Sequence, residues 1–222
     1  MVRNASALHI PVVVVDGGSP KEFREEIQDH CAILIDEVPH ARGVMGPGRR
    51  QAIAKGFEIT GGRVSCYIEP EKHPLLPWVD KCFGPVLSGE ADLVIPRRIS
   101  HSTYPTAQQL SEPLGNLHFK QATGLDLDMW FGPRFFNAIA GKYFLEYDDM
   151  YGGSWDPTHI PVIRCAAAGL RIMSPEVDYI HPSVQTAEEE YSAAWTYKRA
   201  AQLANLMKAT EEEAKRLGLP RK

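Results

Sequence analysis

RVSCYIEPEKHP, residues 63–74, is the stretch on which the reading of the whole chain turns. Residues 64–68 form an apolar run after the pair Gly61-Gly62 and before Pro70, with the length and flanks of an interior strand of a parallel sheet. The run ends in two carboxylates, Glu69 and Glu71, split by Pro70. In open α/β sheets, ligands bind in the crevice outside the carboxyl ends of the strands. Two acids placed there can share a divalent cation, since Mg2+ and Mn2+ favour oxygen ligands and often bridge substrate phosphates. The same residues also read as an exposed acidic turn with proline as its breaker.

Composition bounds the partners. At 222 residues the chain is long enough for one substantial core and is read as a single domain, 1–222. A formal charge of -4 offers nothing to attract a polyanion, so neither nucleic acid nor an anionic membrane is expected as a partner. No apolar run approaches the roughly 20 residues of a membrane helix. The first ten residues lack the basic region and apolar core of a signal peptide, and the expected location is cytoplasmic. Cys31, Cys66, Cys82 and Cys165 are widely spaced with no C-x-x-C pair, and read as buried thiols.

Upstream of the acid pair, residues 10–15 (IPVVVV) have the β-branched character of a buried strand, which runs into Asp16-Gly17-Gly18. Ser19-Pro20-Lys21-Glu22 then reads as a capped helix start, with Ser19 as N-cap and Glu22 closing a capping box. Asp16 thus lies at a strand's carboxyl end, where it could accept hydrogen bonds from a nucleoside; it also reads as a turn-stabilising aspartate. Residues 32–38 supply the next strand. Residues 42–50 carry three glycines and three arginines. Glycine lets backbone approach a ligand and arginine pairs with phosphate oxygens, which suits a diphosphate, although neither the P-loop nor the Rossmann glycine pattern is met. Residues 51–59 continue as a helix.

Downstream, residues 75–87 have helical spacing, and 91–96 (ADLVIP) form one more short strand that ends in Arg97-Arg98, with His101 nearby. Four strands alternating with helices predict a parallel, layered α/β sheet delivering polar residues at one end. Residues 104–122 read as helical and 135–140 as the start of a helix. Asp156, ahead of a helix over 160–168, reads as a helix cap before Pro157. Residues 170–179 form a strand interrupted by Pro175, followed by His181. An amphipathic helix from Thr186, stopped by Gly218 and Pro220, closes the chain; its Lys198-Arg199 pair reads as a solvated face.

The order of strand-Asp16-Gly-Gly-Ser, a Gly-rich segment leading a helix, strand-Glu69-x-Glu71, and a strand ending Ile95-Pro-Arg97-Arg98 resembles the nucleotide-sugar half of GT-A fold glycosyltransferases. The likeness is to the family 2 type, which includes the dolichyl-phosphate mannose, mannosylglycerate and glucosyl-phosphoglycerate synthases. Asp128-Met-Trp-Phe-Gly132-Pro-Arg134 resembles that family's acid-x-x-x-Gly-x-Arg segment beneath the donor sugar.

The resemblance implies a layered α/β/α fold with a mostly parallel central sheet and a C-terminal amphipathic helix. Residues 10–100 would form the nucleotide-sugar half and 101–222 the acceptor half. It implies an enzyme moving a hexose from a nucleotide-sugar donor to a hydroxyl acceptor with Mg2+ or Mn2+. Asp16 and Gly17 would meet the nucleoside, Arg49, Arg50, Arg97 and Arg134 the donor, Glu69 donor and metal, Glu71 and His181 the metal, and Asp156 the acceptor proton.

Two departures keep a second reading open, a non-catalytic GT-A-like nucleotide- or sugar-binding protein. Glutamates flank a proline where the family carries Asp-x-Asp, and nothing before residue 10 matches the family's first strand. An absent first strand would expose a sheet edge that a homodimer could cover. A sugar-phosphate nucleotidyltransferase would need a longer Gly-rich basic loop after the first strand.

Overall fold

Residues 1–30 and 32–219 are described in a computed structural model; Cys31 and Pro220 lie outside the described residues. The chain opens with α1 (Val2–Ala7), β1 (Val13–Asp16), α2 (Lys21–Asp29), β2 (Ile33–Asp36), α3 (Gly46–Ile59) and β3 (Val64–Tyr67). A 3-10 segment, Pro70–Trp78, leads into α4 (Val79–Leu87), then β4 (Leu93–Val94), β5 (Arg97–Arg98) and α5 (Thr106–Thr123). There follow β6 (Arg134–Asn137), α6 (Ala138–Leu145), a 3-10 turn Asp156–Thr158, α7 (Ile160–Ala167), β7 (Ile172–Met173), β8 (Glu176–Val177), α8 (Ser183–Glu190) and α9 (Ala193–Arg216).

The main sheet has the order β3-β6-β4-β7. β3 and β4 both run antiparallel to β6, and β7 runs parallel to β4, so three strands share a direction and β6 alone is reversed. β1 pairs in parallel with β2, and β5 with β8. Pro175 divides the last strand between β7 and β8, because proline lacks the N–H a continuous ladder needs.

Alternation of side chains sorts the core into two layers. Leu93 and its partner Phe136 face a cluster with Ile53, Phe57, Phe119, Phe144 and Ile160. Val94 and its partner Phe135 face the other side, with Leu75, Val79, Cys82, Tyr104 and Tyr179. Cys82 and Cys165 are buried and Cys66 is half-buried, with the thiols pushed up to about 12 by burial.

Several local expectations are corrected. Ser19 does not cap α2, which starts after Pro20 with no side-chain cap; its N–H and hydroxyl donate instead to Asp16. α3 begins at Gly46, so Arg49 and Arg50 stand in its first turn. Phe135 and Phe136 belong to a strand, and the helix after them starts behind Asn137, whose side chain accepts from the Ile139 and Ala140 N–H groups. The C-terminal helix is broken before Ser192, which caps α9 by accepting from the Trp195 N–H. Thr186 is inside α8 and donates to the Thr103 carbonyl.

Candidate functional site

β3 leaves the sheet at Glu69, whose backbone is extended, and Pro70 then opens the 3-10 turn in which the Lys72 N–H donates to the Glu69 carbonyl (2.9 Å). This turn presents Glu69, Glu71 and Lys72 together. The Glu69 carboxylate lies on the bare α-carbon of Gly132, where any β-carbon would overlap it. Its Oε2 is buried without a hydrogen-bond partner. Below it, Arg134 is 0% exposed and donates to four carbonyls, those of Met129 (2.8 Å), Pro133 (3.0 Å), Thr158 (3.2 Å) and Phe131. Burial pushes its pKa down to about 10, opposed first by the charge of Glu69. The guanidinium remains charged at neutral pH and ties the turn that floors Glu69 to the loop before α7.

Beside the acids is an aromatic wall. Lys72, 9% exposed, holds its ammonium over the rings of Tyr104 (5.6 Å) and Tyr179 (5.9 Å), with Glu71 Oε1 3.8 Å away. Tyr179 donates its hydroxyl to the Glu71 carbonyl (3.3 Å). His181, 2% exposed, stacks on Tyr104 at 4.1 Å, and neither ring nitrogen has a partner. Burial, then the charges of Lys72 and Arg199, push the His181 pKa down to about 3. Burial raises the Glu71 pKa; Lys72 opposes this and Glu69 adds to it. Behind Tyr104, the buried Arg98 guanidinium bonds Asp128 (2.8 Å) and Glu112 (2.6 Å). Although burial pushes upward, Arg98 holds the Asp128 carboxyl well below the usual range.

The other predicted residues are engaged within the fold. Asp16, at the end of β1, accepts from the Ser19 hydroxyl (2.5 Å) and N–H and from Arg24, which also binds Asp36 across the parallel pair. The Ser19 hydroxyl chiefly lowers its pKa. Gly17 and Gly48 make room for the carboxylate of Glu37. Arg49 donates to Tyr67 Oη (3.0 Å) and the Ser154 carbonyl (2.5 Å), and Arg50 forms a two-pronged pair with Asp149 (2.6 and 2.7 Å). The carbonyl of Gly153, a glycine at φ 71°, accepts the Met45 and Gly46 N–H groups. The Gly-rich arginine segment therefore docks the loop 149–156. Arg97 pairs with Asp126 (2.9 Å). Asp156 is 3% exposed, caps no helix, and accepts from the Tyr147 hydroxyl (2.5 Å) and the Gly153 N–H (3.3 Å).

Glu69 and Glu71 supply the hard oxygens that Mg2+ and Mn2+ take. Among the described residues, however, no three His, Cys, Asp or Glu side chains are grouped to hold a metal ion. The ammonium that stands 3.8 Å from Glu71 is also the charge that acts most strongly on His181. Glu69, Glu71 and His181 as arranged do not fit a three-ligand divalent centre. Sequence reasoning passed over Lys72, Tyr104 and Tyr179, whereas Gly132 stood in the acid-x-x-x-Gly-x-Arg segment; for Lys72 the signal was its place directly after the acid pair.

No family model and no curated protein sequence matches the chain. Two solved structures of Mycobacterium tuberculosis glucosyl-3-phosphoglycerate synthase match its fold at 17% sequence identity. The complex with Mn2+, UDP and phosphoglyceric acid aligns at a TM-score of 0.56 over 90% of this chain and 67% of the mycobacterial one. The complex with Mn2+, UDP and glucosyl-3-phosphoglycerate aligns at 0.59 over 99% and 75%. This chain has the GT-A fold. On that GT-A fold, a surface hollow of about 620 Å3, lined by Glu146, Arg164 and Arg216 among others, contains none of the predicted site residues. None of the helices is long and apolar enough to cross a membrane, among the described residues.

Proposed function

We propose that the chain is a nucleotide-sugar-dependent glycosyltransferase that seats its donor where β3 ends and passes a hexose to a hydroxyl acceptor. The observation that carries this reading is the Glu69 carboxylate at that strand end, with a buried, unpartnered oxygen over the glycine floor of a GT-A fold. UDP is the first donor nucleotide to test, since the matched mycobacterial structures hold it.

In such a transfer, negative charge grows on the departing nucleoside diphosphate, and fixed positive groups aimed at it lower the barrier. Lys72 beside the acids and Arg134 beneath Glu69 supply that field from inside the fold. Glu69 offers a carboxylate oxygen to a donor hydroxyl. Tyr104 and Tyr179 wall the site beside Lys72. The role foreseen for Asp156 at the acceptor proton gains no support from its bonds to Tyr147 and Gly153, and we assign it to holding the loop 149–156.

A non-catalytic nucleotide- or sugar-binding protein is the second reading, favoured by the internal bonds of Asp16 to Ser19 and Arg24. Thermal-shift titration with UDP, GDP and their sugar conjugates separates the two. A ligand at 100 times its Kd stabilises by about 2.7 kcal/mol. A saturable shift accompanied by release of nucleoside diphosphate in the presence of hydroxyl acceptors supports the enzyme. A shift without release leaves the binding protein, and no shift with any nucleotide overturns the enzyme.

A further inference from the structure

Resting on the donor site just proposed, we infer that Lys72 is the resident cation of this site: its Nζ holds the diphosphate of the nucleotide donor, and nucleotide binding needs no divalent metal.

Three observations converge. The first is the ammonium itself. Lys72 is 9% exposed, and its contact with Glu71 at 3.8 Å is beyond hydrogen-bond length. Among the described residues its Nζ has an ion pair and two ring faces but no hydrogen-bond acceptor. An ammonium carries three donors, and this Nζ is not among the buried atoms left without a partner, so its donors still reach solvent, where a ligand can take them. A phosphate oxygen is the acceptor chemistry that a compact, rotatable point charge of this kind takes.

The second is that the arginines near the site are already committed. Arg98 is neutralised by Asp128 and Glu112, Arg199 by Glu189 (3.0 Å), Arg50 by Asp149, and Arg49 is held by Tyr67 and Ser154. Among the described residues Lys198 has no ion pair, its Nζ lying over the rings of Trp195 (3.9 Å) and Trp155 (6.0 Å), but Lys72 is the cation carried on the turn that follows β3 itself.

The third is its position among the expected metal ligands. Lys72 faces Glu71 on its own turn, Tyr104 ahead of α5, Tyr179 after β8, and acts on His181 beyond it. Glu69 acts on Glu71 from the strand end. An ammonium in this place opposes a second cation between Glu71 and His181, yet it supplies the same compensation: positive charge set between strand-end carboxylates and a diphosphate.

The test is isothermal titration of the full chain with UDP, and with GDP in parallel, first in EDTA and then in Mn2+. The wild type should bind one nucleotide in EDTA within about threefold of its affinity in Mn2+, and Lys72→Met should weaken binding in EDTA by about tenfold or more, with its circular dichroism spectrum unchanged. Mn2+ should restore part of that loss in Lys72→Met, because removing the ammonium frees Glu71 and His181. Binding by the wild type only in Mn2+ overturns the resident cation and leaves the donor site standing. Binding in neither condition removes the donor site and the inference with it. Retention of wild-type affinity in EDTA by Lys72→Met also overturns it. Should that variant not fold, the two wild-type arms decide.

Discussion

The Glu69 carboxylate rests directly on the α-carbon of Gly132, sixty-three residues later in the chain, and the space it occupies is the space a side chain at 132 would take. The backbone at Gly132 does not require a left-handed conformation, so alanine is conformationally allowed there. The added methyl would instead displace the flexible carboxylate. Gly132→Ala is therefore expected to move the melting temperature by only a few degrees, of order 1 kcal/mol, while weakening nucleotide binding about tenfold, or roughly 1.4 kcal/mol. A scanning-calorimetry trace paired with a UDP titration checks both; unchanged affinity would remove Glu69 from the donor site.

Arg98 is expected to carry stability. It satisfies two carboxylates that are 3% exposed, Glu112 and Asp128, and stacks on Tyr104 (4.6 Å) and Phe131 (5.1 Å). Arg98→Met leaves both acids uncompensated, at a cost of about 3–5 kcal/mol. Urea unfolding at pH 7 measures it, and a loss below about 1 kcal/mol would contradict the buried triad.

His159 sets a pH dependence. Burial, then the charges of Arg134 and Arg49, push its pKa from 6.5 to about 3. Between those values the unfolded chain takes up a proton that the folded chain does not, so the contribution is fully present above pH 6.5 and is lost as pH falls toward 3. The slope is on the order of 1 kcal/mol per pH unit. Unfolding free energies at pH 7, 6 and 5 should fall more steeply for the wild type than for His159→Asn. Parallel slopes would show that His159 does not titrate in this window.

The Asp156 carboxylate serves the Tyr147 hydroxyl and the Gly153 N–H. Asp156→Ala strands both donors and should destabilise by about 2–3 kcal/mol, whereas Asp156→Asn keeps an acceptor and should lose about 1 kcal/mol. Sugar transfer by the asparagine variant should stay within about tenfold of wild type. A loss of the 10²–10⁴-fold typical of a missing general base would return Asp156 to the acceptor proton.

The fold was legible where one segment contains its own explanation. Residues 64–68 announce a strand by their flanks, and β3 lies there; Pro175 divides β7 from β8 as read. β6 was misread because Arg134–Asn137 is a four-residue run, too short for periodicity to separate strand from helix. Asn137, a helix cap immediately after it, was the signal that would have ended the strand. At the site, Glu69 and Glu71 stand at the strand end as expected. The arginines of residues 42–50 were assigned to a ligand because their partners, Asp149 and Ser154, arrive about a hundred residues later. Local composition does not encode such pairing. Lys72 was overlooked because its rings, Tyr104 and Tyr179, come 32 and 107 residues later in the chain.

The reversed strand also sets a schedule for the growing chain. β3 and β4 are made first, but neither pairs with the other; each pairs with β6. Strands sit roughly 4.8 Å apart, so β3 and β4 hold open a slot about 10 Å across until residues 134–137 fill it. A nascent chain released only as far as β4 would hold two unsatisfied ladders and the exposed apolar faces of Leu93 and Val94. The sheet that carries Glu69 closes only after the ribosome has delivered the strand bearing Arg134.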